Sequence, residues 1–114
     1  MSPRDWKYLV DDILDAIDKI RDYVADMPFE EFEDDFKTID AVVRNFTIIG
    51  EAASHMPANI LKEYSELPWR LMTDMRNFAV HHYWSVDASV LWKTIQDDLP
   101  QLVPLLNKIK STIK

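Results

Sequence analysis

The sequence contains no cysteine and only one glycine, Gly50. Without cysteine the chain can form neither a disulfide framework nor a thiolate metal site. A single glycine argues against a β fold with many tight turns, because such turns depend on glycine. No apolar run approaches the roughly 18 residues of a membrane-spanning helix, and the N-terminal residues lack the apolar core of a secretory signal peptide. We therefore expect a cytoplasmic protein without a membrane segment.

The chain length and the spacing of apolar residues predict one all-α domain over residues 1–114. A helical bundle of 114 residues can bury a continuous core without covalent or metal cross-links. Apolar residues recur at steps of three and four along most of the chain, which is the pattern of amphipathic helices. We expect an antiparallel bundle of about four to six helices.

Acidic residues are concentrated in the N-terminal third. The net charge is −7, and residues 11–40 hold 12 Asp and Glu against 3 Lys and Arg, whereas the rest of the chain holds 8 against 10. A negative charge is unfavourable for a nucleic-acid enzyme, because phosphate contacts supply most non-specific affinity. We interpret the acidic third as a solvated helix face, with a docking face for a basic partner as the alternative.

The first half of the chain predicts two long helices, at residues 5–25 and 39–55. A short acidic turn of helix is expected at 28–35, and Thr38 is expected to cap the second long helix. Gly50 lies within the apolar arc of that helix, where glycine costs about 1 kcal/mol relative to alanine. This cost predicts that another helix crosses closely at Gly50.

No metal site is expected. The outer face of the first helix carries a row of carboxylates, but the chain lacks the Glu-x-x-His partners of a di-metal carboxylate site. These aspartates are Asp11, Asp15, Asp18 and Asp22.

The second half predicts a short helix at 57–65, a longer one from Pro68 to about residue 83, and a final helical segment from Asp87. We expect a bend at Leu99 and Pro100, because a proline ring clashes with the preceding helical turn.

The stretch 68–87 carries the groups best suited to proton transfer and phosphate binding. On a continuous helix of about 100° per residue, Arg76, Asn77, His81 and Tyr83 share one broad polar side. His82 falls among the apolar residues and is interpreted as a packing residue, while Asn77 is close enough to orient the imidazole of His81. The apolar side of this helix comprises Leu71, Met72, Met75, Phe78 and Ala79.

Two separated motifs resemble one known family. The order Arg76-Asn77, His81-x-Tyr83, Val86-Asp87 and the run Ile49-Gly50-Glu51-Ala52 within residues 41–53 are similar to segments of HEPN-domain toxins of the HepT type. These toxins are small helical ribonucleases encoded beside a nucleotidyltransferase antitoxin of the MNT type.

The resemblance implies a function and a set of residues. It implies a homodimer in which Arg76 and His81 cleave RNA without a metal or cofactor, as the toxin of a type VII toxin-antitoxin pair. It also implies that the antitoxin silences the enzyme by adding AMP to Tyr83. Glu51, and less directly Arg44, are expected to face the pocket around Arg76 and His81. An ion-pair network without chemistry is the alternative for both.

Two other functions are compatible with the residues. The first is a non-catalytic helical dimer that binds and regulates a partner nucleotidyltransferase, which the negative net charge favours. The second is a nucleotide-binding bundle, which the lack of a glycine-rich phosphate loop disfavours. The roles of His55 and His82, the identity of the RNA, and the assignment of general acid and base stay open.

Overall fold

The computed structural model describes residues 3–77 and 87–112. All regular secondary structure in these two ranges is helical, which confirms the predicted all-α class. The elements are α1 (Pro3–Tyr23), α2 (Phe29–Phe32), α3 (Phe36–Ser54), α4 (Ala58–Glu63), α5 (Trp69–Asp74), α6 (Ala88–Lys93), a π-helical turn (Thr94–Asp98) and α7 (Leu99–Thr112).

Helices α1 and α3 form an antiparallel pair at the centre of the fold. Leu9, near the start of α1, shares a depression with His55 after the end of α3, and Tyr23 shares another with Asp40 at the other end of the pair. Helix α5 packs on α3, and α7 packs on α1. The largest fully buried side chains come from every long helix and include Ile13, Ile17, Phe46, Ile49, Met72, Leu102 and Leu106. Contacts with α1 and α5 therefore fix the position of α3 and of the side chains along it.

Helix α3 begins three residues earlier than predicted. Asp35, and not Thr38, is its N-cap: the Asp35 carboxylate accepts hydrogen bonds from the Thr38 backbone N–H at 3.0 Å and from the Thr38 hydroxyl at 2.7 Å. An aspartate at this position satisfies a backbone N–H that has no partner within the helix. These bonds favour the charged carboxylate, so they lower the pKa of Asp35.

The predicted bend at Leu99 and Pro100 takes the form of a π-helical turn and not of a break. Helical structure continues from α6 through Thr94–Asp98 into α7, which also contains Pro104. A proline removes one backbone donor and clashes with the carbonyl four residues earlier. The wider turn directly before Pro100 accommodates this clash while Leu99 stays buried in the core.

Among the helices of the described ranges, none has both the length and the apolar composition that crossing a bilayer requires.

Candidate functional site

The site is built on a backbone contact between α3 and the end of α5. A Cβ atom placed on Gly50 would lie 2.6 Å from both the Cβ and the backbone N of Arg76, and 2.9 Å from the carbonyl O of Thr73. Real Cβ atoms do not approach other atoms so closely, so only glycine fits here without movement of the backbone. The close crossing predicted at Gly50 is confirmed, and the residue that crosses it is Arg76.

The chain around Arg76 is not part of the continuous helix that was predicted from Pro68 to about residue 83. Helix α5 ends at Asp74, and Met75 and Arg76 form a tighter turn, in which the Met75 and Arg76 N–H groups donate to Met72 and Thr73 carbonyls at 3.2 and 3.3 Å. Bonds to the third preceding residue are typical of a 3₁₀ turn. The turn carries the Arg76 backbone over Gly50, which periodicity within one segment could not reveal.

The structure confirms only part of the apolar side that was predicted for this helix. Met72 and Met75 lie in the core as predicted, but Leu71, which the helical wheel placed on the apolar side, is 41% exposed. Helix α5 is short and packs mainly on α3, so it buries one narrow edge. Leu71 points about 100° away from Met72 and misses that edge.

Arg76 and Glu51, two of the predicted site residues, lie side by side. The Arg76 Nη1 atom is 3.4 Å from Oε1 of Glu51, and the two side chains are 40% and 53% exposed. An exposed ion pair of this kind contributes at most about 1 kcal/mol. The contact therefore orients the guanidinium but holds it only weakly. An incoming phosphate can compete with Glu51 for the guanidinium.

His55, whose role the sequence left open, lies on the other side of Glu51. Its Nδ1 atom is 2.7 Å from the Glu51 backbone carbonyl O and 4.0 Å from Oε2 of the Glu51 side chain. A carbonyl oxygen only accepts, so Nδ1 carries the hydrogen and Nε2 of the neutral ring is an acceptor. The spacing of four residues between Glu51 and His55 was the sequence signal for this contact.

Arg44 does not join this group. It lies seven residues before Glu51 on α3, about 10 Å along the helix axis, where it is exposed and lines a different depression with Lys19, Tyr23 and Asp40. Asn77 directly follows Arg76 and is half-buried. His81, His82 and Tyr83 lie outside the described residues.

A shallow cavity of about 290 Å³ adjoins Glu51, between α1 and α3. Its floor is apolar and is formed by Leu9, Ile48 and Ala52. Its rim is polar and is formed by Asp12, Thr47, Glu51 and His55. Sequence reasoning treated Asp12 only as one of many acidic residues on α1. It did not connect Asp12 with Glu51, because the two residues are brought together by the packing of two helices.

Within the described ranges no cluster of three histidine or acidic side chains could hold a metal ion.

Comparison with known proteins gives consistent results. The family model described as "Ribonuclease HepT-like" matches residues 13–109. A protein of Thermococcus cleftensis named "Probable ribonuclease HepT" is 39% identical over 107 residues, which is 94% of this chain and 97% of that protein. A protein of Methanocaldococcus jannaschii named "Putative RNase MJ0127" is 31% identical over 114 residues, which covers 100% of this chain and 94% of that protein.

A second relative from Methanocaldococcus jannaschii, named "Putative RNase MJ1380", is 31% identical over 102 residues, covering 90% of this chain and 94% of that protein. No solved structure matches the chain. The family match spans α3 and the segment around Arg76. The chain belongs to the ribonuclease HepT-like family.

Proposed function

We propose that this protein is an endoribonuclease and the toxin of a type VII toxin-antitoxin pair. Its relatives are named as ribonucleases, and Arg76 and Glu51 lie together on the surface of the bundle. The proposed catalytic residues are Arg76 and His81, with Asn77 and Glu51 in support. The reaction needs no metal or other cofactor.

The observation that supports this proposal most strongly is the position of Arg76. Its backbone is held against Gly50, while its guanidinium stays partly exposed and, among the described residues, pairs with Glu51. A buried structural arginine would have its hydrogen-bonding groups occupied, whereas this one keeps donors for phosphate oxygens. Arginine carries its charge at every physiological pH and suits the developing charge of a phosphoryl transition state.

RNA supplies its own nucleophile for the reaction. The 2′-oxygen attacks the adjacent phosphorus, so that a 2′-O–P bond forms as the bond from phosphorus to the 5′-oxygen breaks. A base takes the proton of the 2′-hydroxyl, and an acid protonates the departing 5′-oxygen.

A homodimer would complete the site. One Arg76 on a small convex bundle provides little enclosure for a strand, while a twofold axis beside the turn at Arg76 would bring two such turns to one groove. One His81 would then act as base and the other as acid. DNA, which lacks the 2′-hydroxyl, would not be cleaved.

Regulation is proposed through Tyr83. An antitoxin nucleotidyltransferase of the MNT type would transfer AMP from ATP to the Tyr83 hydroxyl and release pyrophosphate. The added phosphate brings negative charge and bulk to the side where RNA phosphate binds, which opposes substrate binding.

The test is cleavage of single-stranded RNA by the purified protein in the presence of EDTA. Arg76→Ala is expected to reduce kcat by about 10²- to 10³-fold, as for removal of other groups that stabilise transition-state charge. Arg70→Ala is the matched control, because Arg70 is an exposed arginine of α5, the helix directly before Arg76, and its loss changes the net charge equally.

Two further variants assign the histidine. His81→Gly is expected to lose activity and His82→Gly to keep it; the reverse result would move the catalytic position by one residue. Cleavage unchanged in both Arg76→Ala and His81→Gly would mean that a contaminant cuts the RNA. Absence of cleavage by the unmodified wild-type protein across RNA substrates would favour the non-catalytic dimer.

A further inference from the structure

We propose that the cavity between α1 and α3 is a subsite for one nucleobase of the RNA, and that it selects a base with an exocyclic amino group. This inference rests on the proposed function, because it takes the phosphate bound at Arg76 as the neighbour of that base.

The cavity is continuous with the Arg76 site through a single side chain. Glu51 forms part of the cavity rim, and its Oε1 atom is 3.4 Å from the Arg76 guanidinium. A strand whose phosphate contacts Arg76 therefore passes the mouth of the cavity. At about 290 Å³ the cavity is at the lower limit of ligand pockets, which span roughly 300–1,000 Å³. This size suits one heterocycle and not a whole nucleotide with its phosphate.

The floor of the cavity suits the flat face of a base. Leu9 and Ile48 are half-buried and present partly exposed apolar surface, and Ala52 between them is small and buried. Protein sites for single-stranded RNA hold unstacked bases on apolar, aromatic or imidazole surfaces. His55, at the rim, offers an imidazole ring for such a contact.

The rim offers hydrogen-bond acceptors almost exclusively. Asp12 and Glu51 are carboxylates, which only accept when ionised. The Thr47 hydroxyl already donates to the Val43 carbonyl at 3.0 Å, so its oxygen is left with acceptor capacity. In the neutral form of His55, Nδ1 donates to the Glu51 carbonyl and Nε2 is an acceptor.

A rim of acceptors requires donors from the ligand. Cytosine, adenine and guanine each carry an exocyclic amino group, whereas uracil has a carbonyl oxygen at the position of the cytosine amino group and only its ring N3–H as a donor on that edge. Carboxylates are suited to the N4 amino group of cytosine. If a uracil carbonyl oxygen faced a rim carboxylate, neither acceptor would have a donor, which is unfavourable in a partly desolvated site. Cytosine and uracil have nearly the same size and shape, so they isolate this hydrogen-bonding difference.

The negative charge of the rim does not exclude RNA. The base itself is neutral, and its phosphate lies toward Arg76, which offsets the charge of Glu51. The rim carboxylates thus discriminate among bases at some cost in total affinity.

The test is binding of short 2′-O-methylated oligomers of cytidine and of uridine, measured by fluorescence anisotropy with the full-length protein. These probes lack the nucleophilic hydroxyl, so binding is measured without cleavage. The cytidine oligomer is expected to bind about tenfold more tightly. In Asp12→Asn the ratio should fall toward one, because an amide can also donate to a uracil carbonyl. Asp12 is exposed on α1, so its replacement leaves the core unchanged.

Asp18→Asn is the matched control, because Asp18 is an exposed aspartate of the same helix and lies outside this cavity. It should strengthen binding of both oligomers equally and keep their ratio. Equal binding of the two oligomers by the wild type would overturn the subsite, as would a cytidine preference that survives both Asp12→Asn and Thr47→Val. Neither result depends on cleavage. A cytidine preference without RNA cleavage would instead contradict the proposed nuclease activity and still support the nucleobase subsite.

Discussion

The backbone of Arg76 lies against the Cα of Gly50, so closely that no side chain larger than hydrogen fits between them. This contact joins the segment that carries the proposed chemistry to the central helix α3. It also places Arg76 beside Glu51, the residue that follows Gly50, and so determines where the guanidinium lies.

Gly50→Ala is expected to destabilise the protein and to displace Arg76. Helix propensity alone would stabilise the variant by about 1 kcal/mol, but a Cβ placed 2.6 Å from Arg76 atoms forces α3 and the turn at Arg76 apart. Overpacking of this kind costs about 1–3 kcal/mol. Urea unfolding should therefore show a lower midpoint, and RNA cleavage should fall. A higher midpoint would contradict the close contact, because propensity would then be the only effect.

Glu51→Gln is expected to reduce kcat by about tenfold and to leave KM the same or lower. The amide keeps the shape of the side chain but loses the charge that orients Arg76, while removal of a negative charge favours RNA binding. Stability should change by less than about 1 kcal/mol, because the pair is exposed. Steady-state cleavage kinetics separate the two parameters.

Glu63→Gln provides the control for Glu51, since Glu63 is exposed on α4 and its replacement changes the net charge identically. If both variants show the same kinetics, the effect of Glu51 is general electrostatics and not orientation of Arg76.

Asp35→Ala is expected to lower the stability of the protein in a pH-dependent way. The hydrogen bonds from Thr38 lower the pKa of Asp35 in the folded state, so the folded state binds this proton less readily than the unfolded state does. The stabilisation is thus present above the unfolded value of about 3.9. It is lost as the pH falls through the lower folded value.

Thermal unfolding of the wild type and Asp35→Ala between neutral and acidic pH measures this effect. The difference in Tm should be largest near neutral pH and should shrink below about pH 4. Asp34→Ala, at a neighbouring exposed aspartate, should show no comparable difference. A Tm difference for Asp35→Ala that stays constant across the range would mean that its carboxylate charge contributes nothing to capping.

Co-expression with a neighbouring nucleotidyltransferase is expected to add AMP to Tyr83 and to abolish RNA cleavage. Peptide mass spectrometry locates the modified residue. Tyr83→Phe should prevent both the modification and the silencing. Tyr64→Phe should prevent neither, because Tyr64 lies after α4 and its hydroxyl pairs with Thr112 at the far end of the chain. Modification of another tyrosine, or silencing without modification, would refute this route of regulation.

Sequence periodicity predicted the long helices well, because their core residues recur with the helical repeat over five or more turns. The assignment of α1 and α3 needed only this regularity. It was less successful where a local signal competes with tertiary contact. Threonine is a common N-cap residue, so Thr38 was predicted to cap α3. The N-cap is instead Asp35, which accepts two hydrogen bonds from Thr38. The expected bend before Pro100 became a π-helical turn because burial of Leu99 keeps the helix continuous.

The sequence by itself determined the all-α class, the family, and the importance of Gly50, because these depend on residue types and on spacing along one helix. Only the tertiary structure decided that Arg76 lies in a turn after α5 and beside Glu51, and that Asp12 shares a cavity with Glu51 and His55. These relationships join residues from helices far apart in the chain. Their geometry follows from how α1, α3 and α5 pack, and no pattern within a single segment contains that information.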